Sequence, residues 1–326
     1  MTMDKTPSIN DTPDVLGVSE TEELTRQLRR ELRATRRQQK KGRRVASSLT
    51  DDADITFVYE PHVRYVPPIR PYLRELWTRR AFAIELAKSD VKGARSNTLL
   101  GGLWTIIDPL FMVCLYYFLF TVIREGSRPS SFVPVIIFGI LHFQVSAAAL
   151  TAGGNSVASA SSLMLNSTFP RLLLPLASIL GGVIKFAPSI PIIFGALLFL
   201  DATVSLKLLW WPVLFAVQIA IGIGLALIIS TGVVFFKDVK NVLTYVSRLM
   251  FFTSPVIYPA SFLSDSIISY VKWSPLFGVF FNFQEMVNGR HPDTEMLLIS
   301  LGWMSVSLLL GGWLFLRYER EFATKL

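Results

Sequence analysis

The side chains able to do chemistry are few, and most of them stand in apolar surroundings. The three histidines, His62, His142 and His291, are scattered without metal-ligand spacing, and no Ser/His/Asp signature stands out. A Gly-x-x-x-x-Gly-Lys-Ser/Thr phosphate loop is missing, so the chain is not expected to bind ATP in the usual way. No catalytic residue and no metal site is assigned. Two groups remain. Asp108 and Lys185 are charges inside apolar runs, where a charge usually faces a cavity; snorkelling or structural pairing is the other reading. Aromatic residues crowd two runs: Trp104, Phe111, Tyr116, Tyr117 and Phe120 in one, Tyr245, Phe251, Phe252 and Tyr258 in the other. A path lined with such rings suits a sugar chain, because pyranose C–H faces slide over π-faces while Tyr hydroxyls exchange hydrogen bonds. Each contact is worth about 0.5–1.5 kcal/mol, enough to guide a polymer without trapping it. Packing or lipid-facing rings are the competing reading for any single residue.

The elements that must position these residues are membrane helices. The chain of 326 residues is 51% hydrophobic and 17% charged, with a mean hydropathy of +0.46. Soluble domains carry about 25% charged residues, so the composition argues for an integral membrane protein. The formal charge of +8 would suggest nucleic acid in a soluble protein. Here 19 of the 32 Lys and Arg precede residue 101, so anionic headgroups are the first expected partner of that segment, and nucleic acid is not expected. The lone Cys114 cannot form an intrachain disulfide. Residues 1–54 contain no apolar h-region, so no cleavable signal peptide is expected and the first span would serve as its own insertion signal.

Three regions follow from the pattern: 1–60, a polar, basic, largely disordered or peripheral extension; 61–98, an interfacial helix region; and 99–326, the spans. Within the first, residues 19–44 read as a basic helix with Ser19 and Glu22 as a capping box and a thin face of Leu24, Leu28 and Leu32; a solvated basic tail is the alternative. Asp51, Asp52 and Asp54 resemble the metal-binding triplet of glycosyltransferases, but without an α/β pattern around them a linker is expected. Pro61, Pro67, Pro68 and Pro71 exclude a regular helix through 60–71. Beyond them Leu73, Leu76, Trp77, Ala81 and Ile84 recur at helical spacing among Arg70, Arg74, Arg79 and Arg80, as in an amphipathic helix lying in the membrane interface.

The first span is Leu103–Ile123, long enough for a core of about 30 Å, with Lys88, Lys92 and Arg95 marking its cytoplasmic end. The next is Phe132–Leu150. Residues 151–168, small and polar, read as a cytoplasmic connector with a short helix. The third run, Leu172–Leu200, contains Pro188 and Pro191 and is expected to tilt or kink. The fourth, Leu208–Phe236, carries Gly222, Ala226 and Ser230 every fourth residue, which invites a close helix neighbour. Pro255 and Pro259 interrupt the fifth, Val242–Leu263. Residues 264–292 are expected to form short re-entrant or interfacial outer helices, and Met296–Leu316 is the sixth span. The fold class expected is all-α integral membrane: six transmembrane helices, an N-terminal amphipathic interfacial helix, and both termini cytoplasmic.

In this order the sequence resembles the permease subunits of type-2 ABC transporters that export O-antigen, teichoic acid or cell-wall galactan. The carriers are LLGGLWTIIDPL (99–110), FPRLLLPL (169–176), FFKDVKNVL (235–243), SPVIYP (254–259) and WSPL (273–276), behind a basic interfacial helix. Gly93-Ala94-Arg95-Ser96 departs from the Arg-Tyr-Lys-like string usual before the first motif. The resemblance implies a homodimer in the cytoplasmic (inner) membrane of a bacterium, each subunit resting on a separate ATP-binding subunit that holds ATP and Mg. It implies a gate helix at 72–90, a coupling helix within 153–168 and exit-closing helices at 264–290. It makes a lipid-linked polysaccharide the substrate, with Arg74, Arg79, Arg80 and Arg95 as pyrophosphate contacts at the entrance, because a guanidinium matches phosphate geometry. The aromatics named above would line the channel, and Asp108 or Lys185 would pair or meet the pyrophosphate. Two alternatives stand beside it: a permease of the same fold exporting a drug or lipid, and a membrane glycosyl- or acyltransferase.

Overall fold

The computed structural model describes residues 68–93, 99–123, 132–199 and 205–325. The expected helix over 19–44, the triplet at Asp51, Asp52 and Asp54, and Arg95 lie outside them. The described residues are mainly helical, with no strand among them.

Two helices precede the membrane part, α1 (Ile69–Thr78) and α2 (Arg80–Gly93). On α1 the apolar residues Ile69, Leu73 and Trp77 share one face and are exposed, Trp77 at 68%. That is the pattern of a helix whose partner is a lipid interface. α2 instead packs on protein: Ala83 is buried in a cluster with Leu173 and Ala177, and Ala87 is buried as well.

The first span is α3 (Trp104–Ile123), entered through a turn at Gly101, whose φ of 48° suits glycine. The second starts as α4 (Phe132–Ala148), passes through a π-turn at Ala149–Gly153 and continues as α5 (Gly154–Ser159), spanning 28 residues in all. Residues 151–159 therefore extend a span instead of forming the expected connector, and only α6 (Ser161–Asn166) is a separate short helix. Their small size explains it. A Cβ at Gly153 would lie 2.9 Å from the Ala226 Cβ, and one at Gly154 2.5 Å from Ile229 Cγ2. Polar residues too hydrophilic for lipid are thus buried against another helix.

The third run is broken into α7 (Leu173–Phe186) and α8 (Ser189–Phe199), bent by 42° at Ala187-Pro188. α9 (Trp211–Phe235) is the central helix. The small-residue stripe read in its sequence receives the second span, since a Cβ at Gly222 would meet Ala149 Cβ at 3.0 Å. Its other side receives α13 (Thr294–Tyr318): Cβ atoms at Gly224 and Gly311 would come within 2.3 Å of Ser307 and 2.4 Å of the Gly224 carbonyl.

The fifth run differs from its expectation. α10 (Asp238–Thr253) has 16 residues, roughly 24 Å at 1.5 Å per residue, short of the core thickness. Pro255 ends it by forcing Ser254 into extended backbone. Irregular backbone survives at depth only when its polar groups are satisfied by protein, and Gln284 does this. Its Nε2 donates to the carbonyls of Pro255 and Tyr258 at 2.6 and 2.8 Å, and its Oε1 accepts from Ala260 N–H at 2.7 Å. Gln284 lies on α12 (Phe277–Val287), which follows the short α11 (Asp265–Val271); both lie between α10 and α13 in the chain. By length and composition, four helices among the described residues are able to cross a membrane, and five if α7 and α8 count as one bent span. Six were expected; α10 is the one that falls short.

Candidate functional site: an aromatic cleft

One large cleft, of about 1010 Å³, opens between α3, α4 and α10. α3 contributes Trp104, Ile107, Asp108, Phe111, Met112 and Tyr116; α4 contributes Ile140, Phe143 and Gln144; α10 contributes Ser247, Arg248, Phe251 and Phe252. The rings form a continuous wall: Phe251 lies 5.8 Å from Tyr116, 4.9 Å from Phe143 and 5.3 Å from Phe252, centroid to centroid.

Of the aromatics singled out in the sequence, the structure brings Trp104, Phe111, Tyr116, Phe251 and Phe252 together here. Tyr117 and Tyr245 are exposed outside the cleft. Tyr258 is also outside it and donates its hydroxyl to the Phe252 carbonyl at 2.9 Å. The Phe120 side chain lies outside the described residues. Sequence reasoning missed the α4 wall and Arg248. Gln144, a polar side chain inside an apolar run, was the available signal for the first. Asp108 lines the cleft, whereas Lys185 sits half-buried in the last turn of α7. Among the described residues no ion pair joins them.

The basic residues of the first two helices are partly engaged. Arg79 pairs with Glu75 at 3.1 Å and donates to the Thr168 carbonyl at 2.8 Å. Arg80 donates to the Trp77 carbonyl at 2.9 Å and lies 4.8 Å from the centre of its ring. Arg74 is exposed.

These helices are tied to the end of the last span by Glu319. Its Oε1 accepts from the Tyr72 hydroxyl at 2.9 Å and from the Arg171 backbone N–H at 2.6 Å, and the Arg171 guanidinium donates to the Glu319 carbonyl. Burial, and after it the Glu319 carboxylate, push the Tyr72 phenol above its ordinary value of 10.0. The node fixes α1, the Phe169-Pro170-Arg171 turn and the C-terminal end of α13 to one another.

Deep in the bundle His142 is fully buried among Phe138, Phe186, Trp211, Phe215 and Phe283. It is a packing residue with both nitrogens hydrogen-bonded. Among the described residues no group of three His, Cys, Asp or Glu side chains is placed to hold a metal ion.

No protein-family model matches the chain. It is 25% identical over 208 residues to the O-antigen export system permease protein RfbA of Klebsiella pneumoniae, covering 63% of this chain and 80% of that protein. To the protein of the same name from Myxococcus xanthus it is 25% identical over 241 residues, 73% of this chain and 92% of that one. The chain is thus similar over most of its length to permease proteins of O-antigen export systems, and the resemblance read from its motifs is borne out by those relatives.

Proposed function

We propose that the chain is the membrane-spanning subunit of an ATP-driven exporter moving a polyprenyl-pyrophosphate-linked cell-envelope polysaccharide across the cytoplasmic membrane. O-antigen is the cargo favoured by the relatives, with teichoic acid and galactan as the neighbouring chemistries. The observation that carries the reading is the cleft: five of the aromatics expected to guide a glycan converge on one cavity between α3 and α10. ATP and Mg would be held by a separate ATP-binding subunit resting on the cytoplasmic side, where both termini of this chain would also lie.

A homodimer fits the exposure of α3. Trp104, Leu110, Phe111, Leu115 and Phe118 are all exposed on this helix, although it is apolar enough to span. A second copy set against α3 and α10 would close the open side of the cleft into a channel. α1, with its bare apolar face and Arg74 exposed nearby, would lie at the entrance as a gate helix.

The test is purification of the tagged chain from its native host in mild detergent, with everything that travels with it identified. An ATP-hydrolysing subunit near 1:1 together with a polyprenyl-linked glycan is the expected result. A chain that comes out alone, with neither, overturns the exporter reading and brings the transferase alternative forward.

A further inference from the structure

The cleft wall is mostly carbon, yet four polar side chains face it and the protein itself uses none of them. Asp108, Gln144, Ser247 and Arg248 all line the cavity, and no side-chain hydrogen bond or ion pair from another described residue reaches them. The guanidinium is the decisive member. A guanidinium matches the geometry of phosphate oxygens, and Arg248 lines the cavity while remaining exposed, so a ligand can reach it. Asp108 does not neutralise it, since the two do not come within ion-pair distance. The helix also sets what lies beside it: Phe251 and Phe252 follow at i+3 and i+4, so charge and rings share one face of α10. An anionic group at Arg248 would leave the rest of its molecule lying over rings.

We propose that Arg248 is the contact for a phosphate or pyrophosphate oxyanion of an amphiphile held in this cleft, leaving Asp108 and Gln144 to hydrogen-bond hydroxyl groups attached to it. This deepens the exporter reading and rests on it. It also moves the anion contact from the entrance to the cavity, where Arg79 and Arg80, already engaged on α1 and α2, do not reach.

The full-length chain in nanodiscs of neutral phosphatidylcholine is titrated with a fluorescent polyprenyl pyrophosphate. Arg248→Gln is expected to weaken binding about tenfold or more, the scale of a lost charge-assisted hydrogen bond. Arg248→Lys, which keeps the charge but not the fork, should recover part of it, and Arg317→Gln, at the end of α13 and outside the cleft, should bind as the unaltered chain does. If Arg248→Gln does not fold, the Lys variant carries the comparison through its intermediate affinity. Competition by phosphatidylglycerol at equal affinity would keep Arg248 as an oxyanion contact and assign it to a bilayer headgroup; failure to compete assigns it to the lipid-linked cargo. Unchanged affinity in both Arg248 variants overturns the proposal. The exporter reading fails separately, if the unaltered chain binds the probe yet carries no glycan and no ATPase from its host.

Discussion

The indole N–H of Trp211 donates to Nε2 of His142 across 2.7 Å, while Nδ1 of the same ring lies 2.8 Å from the Phe138 carbonyl. One nitrogen accepts and the other donates, which is the neutral tautomer. Trp211→Phe should leave the buried Nε2 without a partner and cost about 1–3 kcal/mol. His142→Ala, which empties the centre of the aromatic cluster, should cost about 3–5 kcal/mol, as for a buried ring. Thermal unfolding in detergent reads both, and an unfolding temperature unchanged in His142→Ala would contradict the account.

Gly224 on α9 and Gly311 on α13 make a sharp prediction because a third glycine, Gly302 on α13, serves as control. Alanine at either should force α9 and α13 apart, at about 1–3 kcal/mol, since the added Cβ would sit within 2.4 Å of atoms including the partner's backbone. Nothing lies within 4 Å of a Cβ at Gly302, so Gly302→Ala should be neutral or gain up to about 1 kcal/mol of helix propensity. Equal effects at all three positions would refute the close crossing.

Tyr72 gives a pH dependence. Its phenol titrates above the ordinary value in the folded protein, so the folded state keeps a proton that the unfolded chain releases near pH 10. The associated stability is complete below that pH and declines as pH rises beyond it. Spectrophotometric titration should place Tyr72 among the phenols that ionise late, contributing a step seen only as the protein unfolds. Tyr72→Phe should remove that late step and flatten the alkaline loss of stability, while leaving the Arg171 hydrogen bond to Glu319 in place.

For transport, Phe251→Ala should reduce glycan export by a factor of roughly 2 to 12, the equivalent of 0.5–1.5 kcal/mol of ring contact. Tyr245→Ala, on the same helix but outside the cleft, should export normally. If Tyr245→Ala were the more damaging of the two, the path would run along the other side of α10.

Much of this architecture was legible because it is written in periodicity and punctuation. The run lengths, the prolines at 188 and 255, and the stripe at Gly222 and Ala226 each led to a kink, a stop or a close approach. Composition misled at 151–159, where polarity argued for water and small size for burial; the presence of Ala226 and Ile229 decided between them. The cleft was half legible. Rings in two runs can be counted in a sequence, but the α4 wall with Phe143 and Gln144 depends on which helix lies between those runs. The same limit applied to Tyr117 and Tyr245, which are of the right type on the wrong face.

The π-turn at Ala149–Gly153 makes the second span two helices in phase terms. A turn of this kind holds one residue more than an α-turn, so the half before it and the half after it are rotated relative to an unbroken helix. His142 and Ser146 can face the buried side chains of α9 above, while Gly153 and Gly154 meet the same helix below. Removing a single residue within the turn would swing one half by about 100°, carrying either the glycines away from their neighbour or Phe143 and Gln144 out of the cleft. Insertions and deletions are therefore far less tolerable at that point than substitutions, and the length of this short stretch is itself a functional constraint.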